Sequence, residues 1–194
     1  MSPSIWLTTL ASFCEEVAAA NPAPAAVAVS AVAANLGLGL LIKVLEITAK
    51  RKNFSGDSLK VRALIDAARH ESEQLRAVAD EDIAAVRQYL RSRNPSAVQN
   101  AIEVPMRAAR AAVSGLDLCS EAAGIIHGLV AADLGAGVLL LSAAVRAILL
   151  SVDFNLRQLR SEEGYSDRVV AERRMLEDRA AYQADAVLSQ ISRD

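Results

Sequence analysis

The amino-acid sequence predicts an all-α protein built as a compact bundle of long helices. Of its 194 residues 53% are hydrophobic but only 4% aromatic, and alanine supplies much of that apolar content. Alanine is the best helix former, whereas strands favour β-branched and aromatic side chains. Proline and polar breaks divide the chain into segments of helical length whose apolar residues recur every three or four positions. No internal repeat or low-complexity linker interrupts them, so residues 1–194 read as one helical domain. At 20.6 kDa such a chain buries roughly two-thirds of its unfolded surface.

A first helix is expected from Ser4 or Thr8 to Ala20, with Ile5, Leu7, Leu10, Phe13, Cys14 and Val17 as its apolar stripe. Asn21-Pro22-Ala23-Pro24 ends it, because a residue before proline is pushed out of the helical region. The second helix starts at Pro24 or Ala25 and runs to about Lys50. Its uncharged stretch from Pro24 to Ile42 just reaches membrane-spanning length, about 20 residues, but is rich in alanine and glycine rather than leucine and phenylalanine. It reads as a buried helix at the centre of a bundle or dimer, with small side chains that let neighbouring backbones come close.

The polar loop RKNFSGDS leads to a third helix from about Leu59 to Ser92, capped by Ser58 or Asp57, whose alternating charges mark a solvated face. Asn94-Pro95-Ser96 breaks it. A fourth helix follows from about Ala97 to beyond Ala123, with Pro105 as a kink or second start. An apolar fifth helix covers Leu129 to Asn155, Ser161 to Gly164 opens a turn, and an amphipathic helix covers Arg168 to Ile191.

Twenty-one basic residues against 23 acids give a net charge of −2, so no global positive field draws nucleic acid. Cys14 and Cys119 stand far apart in apolar contexts without metal-ligand spacing. They are expected to be buried thiols of a reducing compartment, and no metal or other cofactor is expected. The opening residues lack a basic region before their apolar ones, so no secretory signal is read and the cytoplasm is the expected location.

Phosphate-binding, zinc-protease and serine-hydrolase motifs are absent from the sequence, and His70 and His127 are its only imidazoles. Charge in apolar settings is the remaining signal. Asp133 lies within LVAADLGAGVLLL, where it reads either as the cap of the fifth helix or as a carboxylate with a perturbed pKa and a chemical role. Lys43 and Glu46 read as a helix-surface pair. Lys50, Arg51 and Lys52 suit either the carbonyl end of the second helix or an anionic ligand.

Taken in order, several segments resemble one family. Pro22-Ala23-Pro24 with Ala25-Ala26 stands at a proline-glycine turn, and Thr48 to Phe54 at a basic loop. Asp80-Glu81-Asp82 stands at an Asp-x-Asp on the third helix, and Glu103-Val104-Pro105 at an acid-valine-proline segment. Ala132-Asp133-Leu134-Gly135 falls on Ser-Asp-Ala-Gly, and Val152 to Leu156 on Asn-Val-x-x-Asn-Leu. In these the chain resembles the cyclodeaminase and methenyltetrahydrofolate cyclohydrolase family, which includes the C-terminal half of formiminotransferase-cyclodeaminase. It departs at Ala25-Ala26-Val27, where relatives carry three glycines, and at Ala132 and Ser151.

The resemblance implies an enzyme of one-carbon metabolism that hydrolyses methenyltetrahydrofolate or cyclises formiminotetrahydrofolate. It implies Asp133 and Asp82 as acid/base groups, with Lys50, Arg51, Lys52, Pro24, Glu103, Asn155 and His127 around the substrate. For Asp82 the plain alternative is a solvated helix acid, and for His127 a structural residue. A homodimer acting on a small molecule, with neither nucleic acid nor membrane as partner, is expected. The departures leave two alternatives: a relative acting on another cyclic C–N substrate, or a non-catalytic helical dimer.

Overall fold

Long helices form where the sequence spaces its breaks most widely. The computed structural model describes residues 4–52, 54–92, 94–126, 128–158 and 163–193, and all regular structure among them is helical. Six α-helices follow in order: α1 (Leu10–Ala18), α2 (Ala26–Ala49), α3 (Ser58–Ser92), α4 (Pro95–Ala123), α5 (Ala131–Leu156) and α6 (Glu163–Ile191). Short 3-10 turns occupy Ile5–Leu7 and Gly128–Val130.

Side chains cap three of these starts. Thr9 accepts from the Ser12 amide at 3.1 Å, Asp57 from Leu59 and Lys60 at 2.9 and 3.1 Å, and Asn94 from Ala97 at 2.8 Å. Each satisfies amide groups that the first helical turn leaves without partners. The two apolar helices differ: α2 starts on Ala25 and α5 on Val130, and neither residue provides a capping bond.

Antiparallel α2 and α5 form the central pair. Lys43 near the end of α2 bonds Asp133 at the start of α5, and Gly37 meets Gly137 midway. α3 packs beside α2, α6 beside α5, and α4 behind the pair. Gly115 of α4 sits against Leu38 and Leu141, drawing the third layer onto the centre. Fully buried Leu38, Leu41, Leu45, Leu116, Leu134, Leu141, Ile148 and Leu149 fill this core.

The structure revises several local expectations. Of the stripe expected for the first helix, Ile5, in the 3-10 turn, is buried, but Leu7 of that turn and Leu10 of α1 are 81% and 74% exposed, Cys14 is exposed too, and α1 itself has no buried residue. At nine residues the helix is too short to lay the whole stripe on the bundle, and only Phe13 packs against the core edge. Cys119 is the buried thiol, its pKa pushed up to about 12 by its burial. Pro105 lies inside α4 without ending it. α6 begins at Glu163, before the expected Arg168, so Gly164 is helical. α2 is not enclosed on all sides: its front, with that of α5, leaves Leu36 60% and Leu139 57% exposed. Both helices are long and apolar enough to cross a membrane by length and composition, and half of each apolar stretch is buried within the bundle.

The Gly37–Gly137 crossing leaves no room for a side chain. A Cβ on Gly137 lies 2.9 Å from the Gly37 carbonyl oxygen, and one on Gly37 lies 2.8 Å from that of Gly137. Backbone cannot rotate aside as a side chain can. Gly137→Ala is therefore expected to lose about 1–3 kcal/mol despite alanine's better helix propensity. Thermal unfolding checks this: the midpoint should fall by roughly 3–10 °C, at 2–4 °C per kcal/mol for a chain of this size.

Candidate functional site

The start of α2 combines an uncapped helix end with a buried acid. Asp82, on α3, is only 4% exposed, and its carboxylate accepts a hydrogen bond from the Ala28 amide in the first turn of α2. A side chain from another helix thus serves the amide end that Ala25 leaves bare. Its Oδ2 atom has no hydrogen-bond partner among the described residues. Burial raises its pKa from the ordinary 3.8 to about 6, against the lowering effect of the Ala28 amide. The solvated helix acid considered for Asp82 is excluded by this burial.

A cleft of about 390 Å³ opens at the next residue of α3, Ile83; Asp82 itself does not line it. Buried Pro24 and Ala23 form one wall, Ile83 and Arg87 of α3 another, and Thr8, Glu16 and Asn21 the outer rim. Both charge signs are present, from Glu16 and Arg87. Sequence reasoning overlooked these rim residues, although Asn21 adjoins the proline turn and Arg87 shares a helix face with Ile83, four positions earlier.

Asp133 lies elsewhere. It is in the first turn of α5, beyond the cap position held by Val130, and it is 37% exposed with Oδ2 2.8 Å from Lys43 Nζ. It is neither the cap nor a carboxylate sealed in apolar surroundings. Its position favours the amide end of α5, and its exposed ion pair contributes at most about 1 kcal/mol. Lys43 therefore does not pair with Glu46, which instead meets Arg69 at 3.2 Å and Lys50 at 3.5 Å. Ala28 and Lys43, the α2 contacts of the two aspartates, are separated by about 22 Å of helix rise. Within one chain the two carboxylates cannot share a reacting atom.

The basic trio stays with Asp133 at the far end. Lys50, Arg51 and Lys52 are exposed where α2 stops. Arg51 lines a second cleft, about 410 Å³, with Phe54, Lys60, Gly124, Ile125 and Ile126. His127 lies outside the described residues.

Two other expected substrate contacts have work within the bundle. Glu103 accepts from the Tyr165 hydroxyl at 2.9 Å and lies 3.9 Å from Arg110, which also holds Glu172 in a two-bond pair at 2.6 and 2.9 Å. These ties join α4 to α6. Asn155 Nδ2 donates to the Ala101 carbonyl at 2.6 Å. That carbonyl is four residues before Pro105, whose ring nitrogen has no hydrogen to give it. Asn155 thus replaces the helical bond that proline removes, an assignment invisible until α4 and α5 are adjacent.

Both geometries can be tested by stability measurements. Asn155→Ala should cost about 1–3 kcal/mol by orphaning the Ala101 carbonyl, and in a Pro105→Ala background, where the backbone bond returns, the loss should shrink by half or more. Denaturant titration of the four proteins checks it. For Asp82, between pH 3.8 and about 6 the folded chain keeps a proton that the unfolded chain has released, so stability falls as pH rises through that window. Asp82→Asn still accepts from Ala28 but bears no charge. It should gain about 3 kcal/mol at pH 7.5 and lose the slope between pH 4 and 6 in a thermal-unfolding series.

Comparison with known proteins bears on the whole arrangement. The model of the formiminotransferase-cyclodeaminase family matches residues 9–174. The fold matches the crystal structure of formiminotetrahydrofolate cyclodeaminase from Thermotoga maritima with a TM-score of 0.92, covering 97% of this chain and 98% of that one at 20% identity. No curated protein matches in sequence.

Proposed function

Since this chain belongs to the formiminotransferase-cyclodeaminase family, we propose that it is an enzyme of folate one-carbon metabolism, of cyclodeaminase or cyclohydrolase type, working as a homodimer. The observation that supports a retained activity is Asp82: a nearly buried carboxyl with a pKa of about 6, next in sequence to Ile83, which lines the cleft at Pro24.

Cyclodeamination closes a ring on the formimino carbon and expels ammonia, leaving a cationic amidinium carbon. Cyclohydrolysis starts from that cation, adds water to it, and opens the ring. The first needs a proton delivered to the departing nitrogen and the second a proton removed from water. A carboxyl titrating near neutrality does either, because appreciable fractions of both forms coexist. Once ionised, Asp82 also offsets the positive charge on the carbon. Its Oδ2 has no hydrogen-bond partner among the described residues and is buried, so in this reading the carboxyl meets substrate only once the side chains covering it move. Arg51 and its neighbours remain suited to the anionic tail of a folate.

A second reading, a different cyclic C–N substrate, is favoured by Val27. It is 4% exposed at the start of α2, where the family resemblance places a glycine, so its side chain occupies space that bare backbone leaves open.

Absorbance assays distinguish these readings. The purified protein should accelerate the decay of methenyltetrahydrofolate, or its formation from formiminotetrahydrofolate with release of ammonia. Asp82→Asn should lower kcat about 10²–10⁴-fold, the range for losing a general acid or base. With Asp82 as acid, the cyclisation rate should fall about tenfold per pH unit above 6. Acceleration that survives in Asp82→Asn and vanishes in Asp133→Ala would move the chemistry to the far end of α2. A folded protein with no effect on either folate overturns the folate reading in favour of another C–N substrate.

A further inference from the structure

We propose that Asp80 is a positioning residue: by holding the Ile5 amide it latches residues 4–21 along α3 as a cover over the cleft at Pro24, which lifts to admit substrate to Asp82 and shuts behind it. The purpose of this cover rests on the acid/base reading of Asp82, but its geometry does not.

Three consecutive acids of α3 point three ways, as a helix turning about 100° per residue requires. Asp82 reaches the start of α2, and Glu81 pairs with Arg107 of α4. Asp80 turns to the N-terminal segment, where its Oδ1 accepts from the Ile5 amide at 3.0 Å, across 75 positions of chain. A carboxylate bonded to a backbone amide forms one of the stronger hydrogen bonds open to a protein. One turn earlier on α3 the Trp6 indole N–H donates to the Arg76 carbonyl at 3.0 Å, and the Arg76 guanidinium lies 5.3 Å from the centre of that ring.

These contacts follow one line. Arg76, Asp80, Ile83 and Arg87 are spaced by four, three and four residues, which places them on a single face of α3. The first two fasten the 3-10 turn, and the last two line the cleft together with Thr8, Glu16 and Asn21 of the same N-terminal segment. The segment is fixed at both ends: Ile5 is 8% exposed at one, and Ala23 and Pro24 are buried at the other. Between them α1 has no buried residue. A helix seated this lightly lifts at low cost, because few apolar contacts break when it does.

Asp82 adjoins Ile83 and is itself nearly inaccessible, so access to it requires a movable wall. A proton passed between this carboxyl and a substrate nitrogen must also not be lost to bulk water, and closure after binding excludes that water. Asp80 is the charged anchor of the wall that moves.

Thiol trapping measures the cover without any substrate. Cys119 is buried, so in a Cys14→Ser background Ile83→Cys gives one reactive target for dithiobis(nitrobenzoate) in the folded chain. Asp80→Ala should speed its modification about 10- to 100-fold, the shift in an opening equilibrium that follows loss of a hydrogen bond to a charged group. Asp80→Asn, whose side-chain oxygen still accepts from Ile5, should change the rate by about fivefold or less. Ile5→Pro removes the donor instead, and proline suits the first residue of the turn because Ser4 before it is already extended, at φ −62° and ψ 140°. It should match Asp80→Ala, and the double variant should react no faster than either. Where Asp80→Ala does not fold, Ile5→Pro alone provides the measure. Rates unchanged in the single variants, or effects that multiply in the double one, overturn the latch. On methenyltetrahydrofolate, Asp80→Asn should restore the kcat that Asp80→Ala loses; an equal loss in both would make the Asp80 charge itself part of the chemistry and overturn the positioning role. A chain inert on folates whose thiol rates behave as expected upholds the cover and overturns only the folate reading.

Discussion

The backbone contact between Gly37 and Gly137 is the constraint on which the rest of this bundle depends. Each glycine presents its carbonyl to the place where the other's Cβ would be, so α2 and α5 approach more closely than helices bearing side chains at the crossing. Close approach shares one narrow core between them and lets α4 press Gly115 onto Leu38 and Leu141 from behind. It also fixes the antiparallel register in which Lys43 reaches Asp133. Alanine-rich helices gain little from each side chain, and van der Waals attraction compensates only when many atoms meet at contact distance.

The same pair leaves both its amide ends without local caps. At α5 the start is served by the charge of Asp133, which stays hydrated. At α2 it is served by Asp82, which is dehydrated and holds an unpartnered oxygen. The second arrangement is destabilising once the carboxyl ionises, and it is the feature on which the proposed acid/base role rests. A stable fold alone has no need of it, since a serine at position 25 would cap α2 locally.

Elsewhere polar groups that resemble site residues have been taken up by packing. Pro105 removes a hydrogen bond from the middle of α4, and Asn155 restores it from α5. Glu103 is tied to Tyr165 of α6. Residues aligned by motif therefore include some that hold helices together and others, like Pro24 and Arg51, that border a cleft, while Asp82 is buried at the start of α2.

The sequence by itself determined the helical class, the breaks at Pro24, Asn94 and the loop near Gly56, and the small-residue character of α2, because propensity, capping and proline geometry act over a few neighbouring residues. The ordered motifs also determined the family. It misjudged Asp133 and Asp82 in opposite directions: the acid in the apolar run is half-exposed, and the acid in the charged run is buried. Burial depends on which neighbour covers a helix face, and hydropathy along one helix does not say where the next will lie. The separation of the two carboxylates by most of α2, the pairing of Asn155 with the carbonyl freed by Pro105, and the bare front of the central pair were decided only by tertiary packing. Each arises between residues more than 50 positions apart in the chain, or between a helix and the absence of a neighbour.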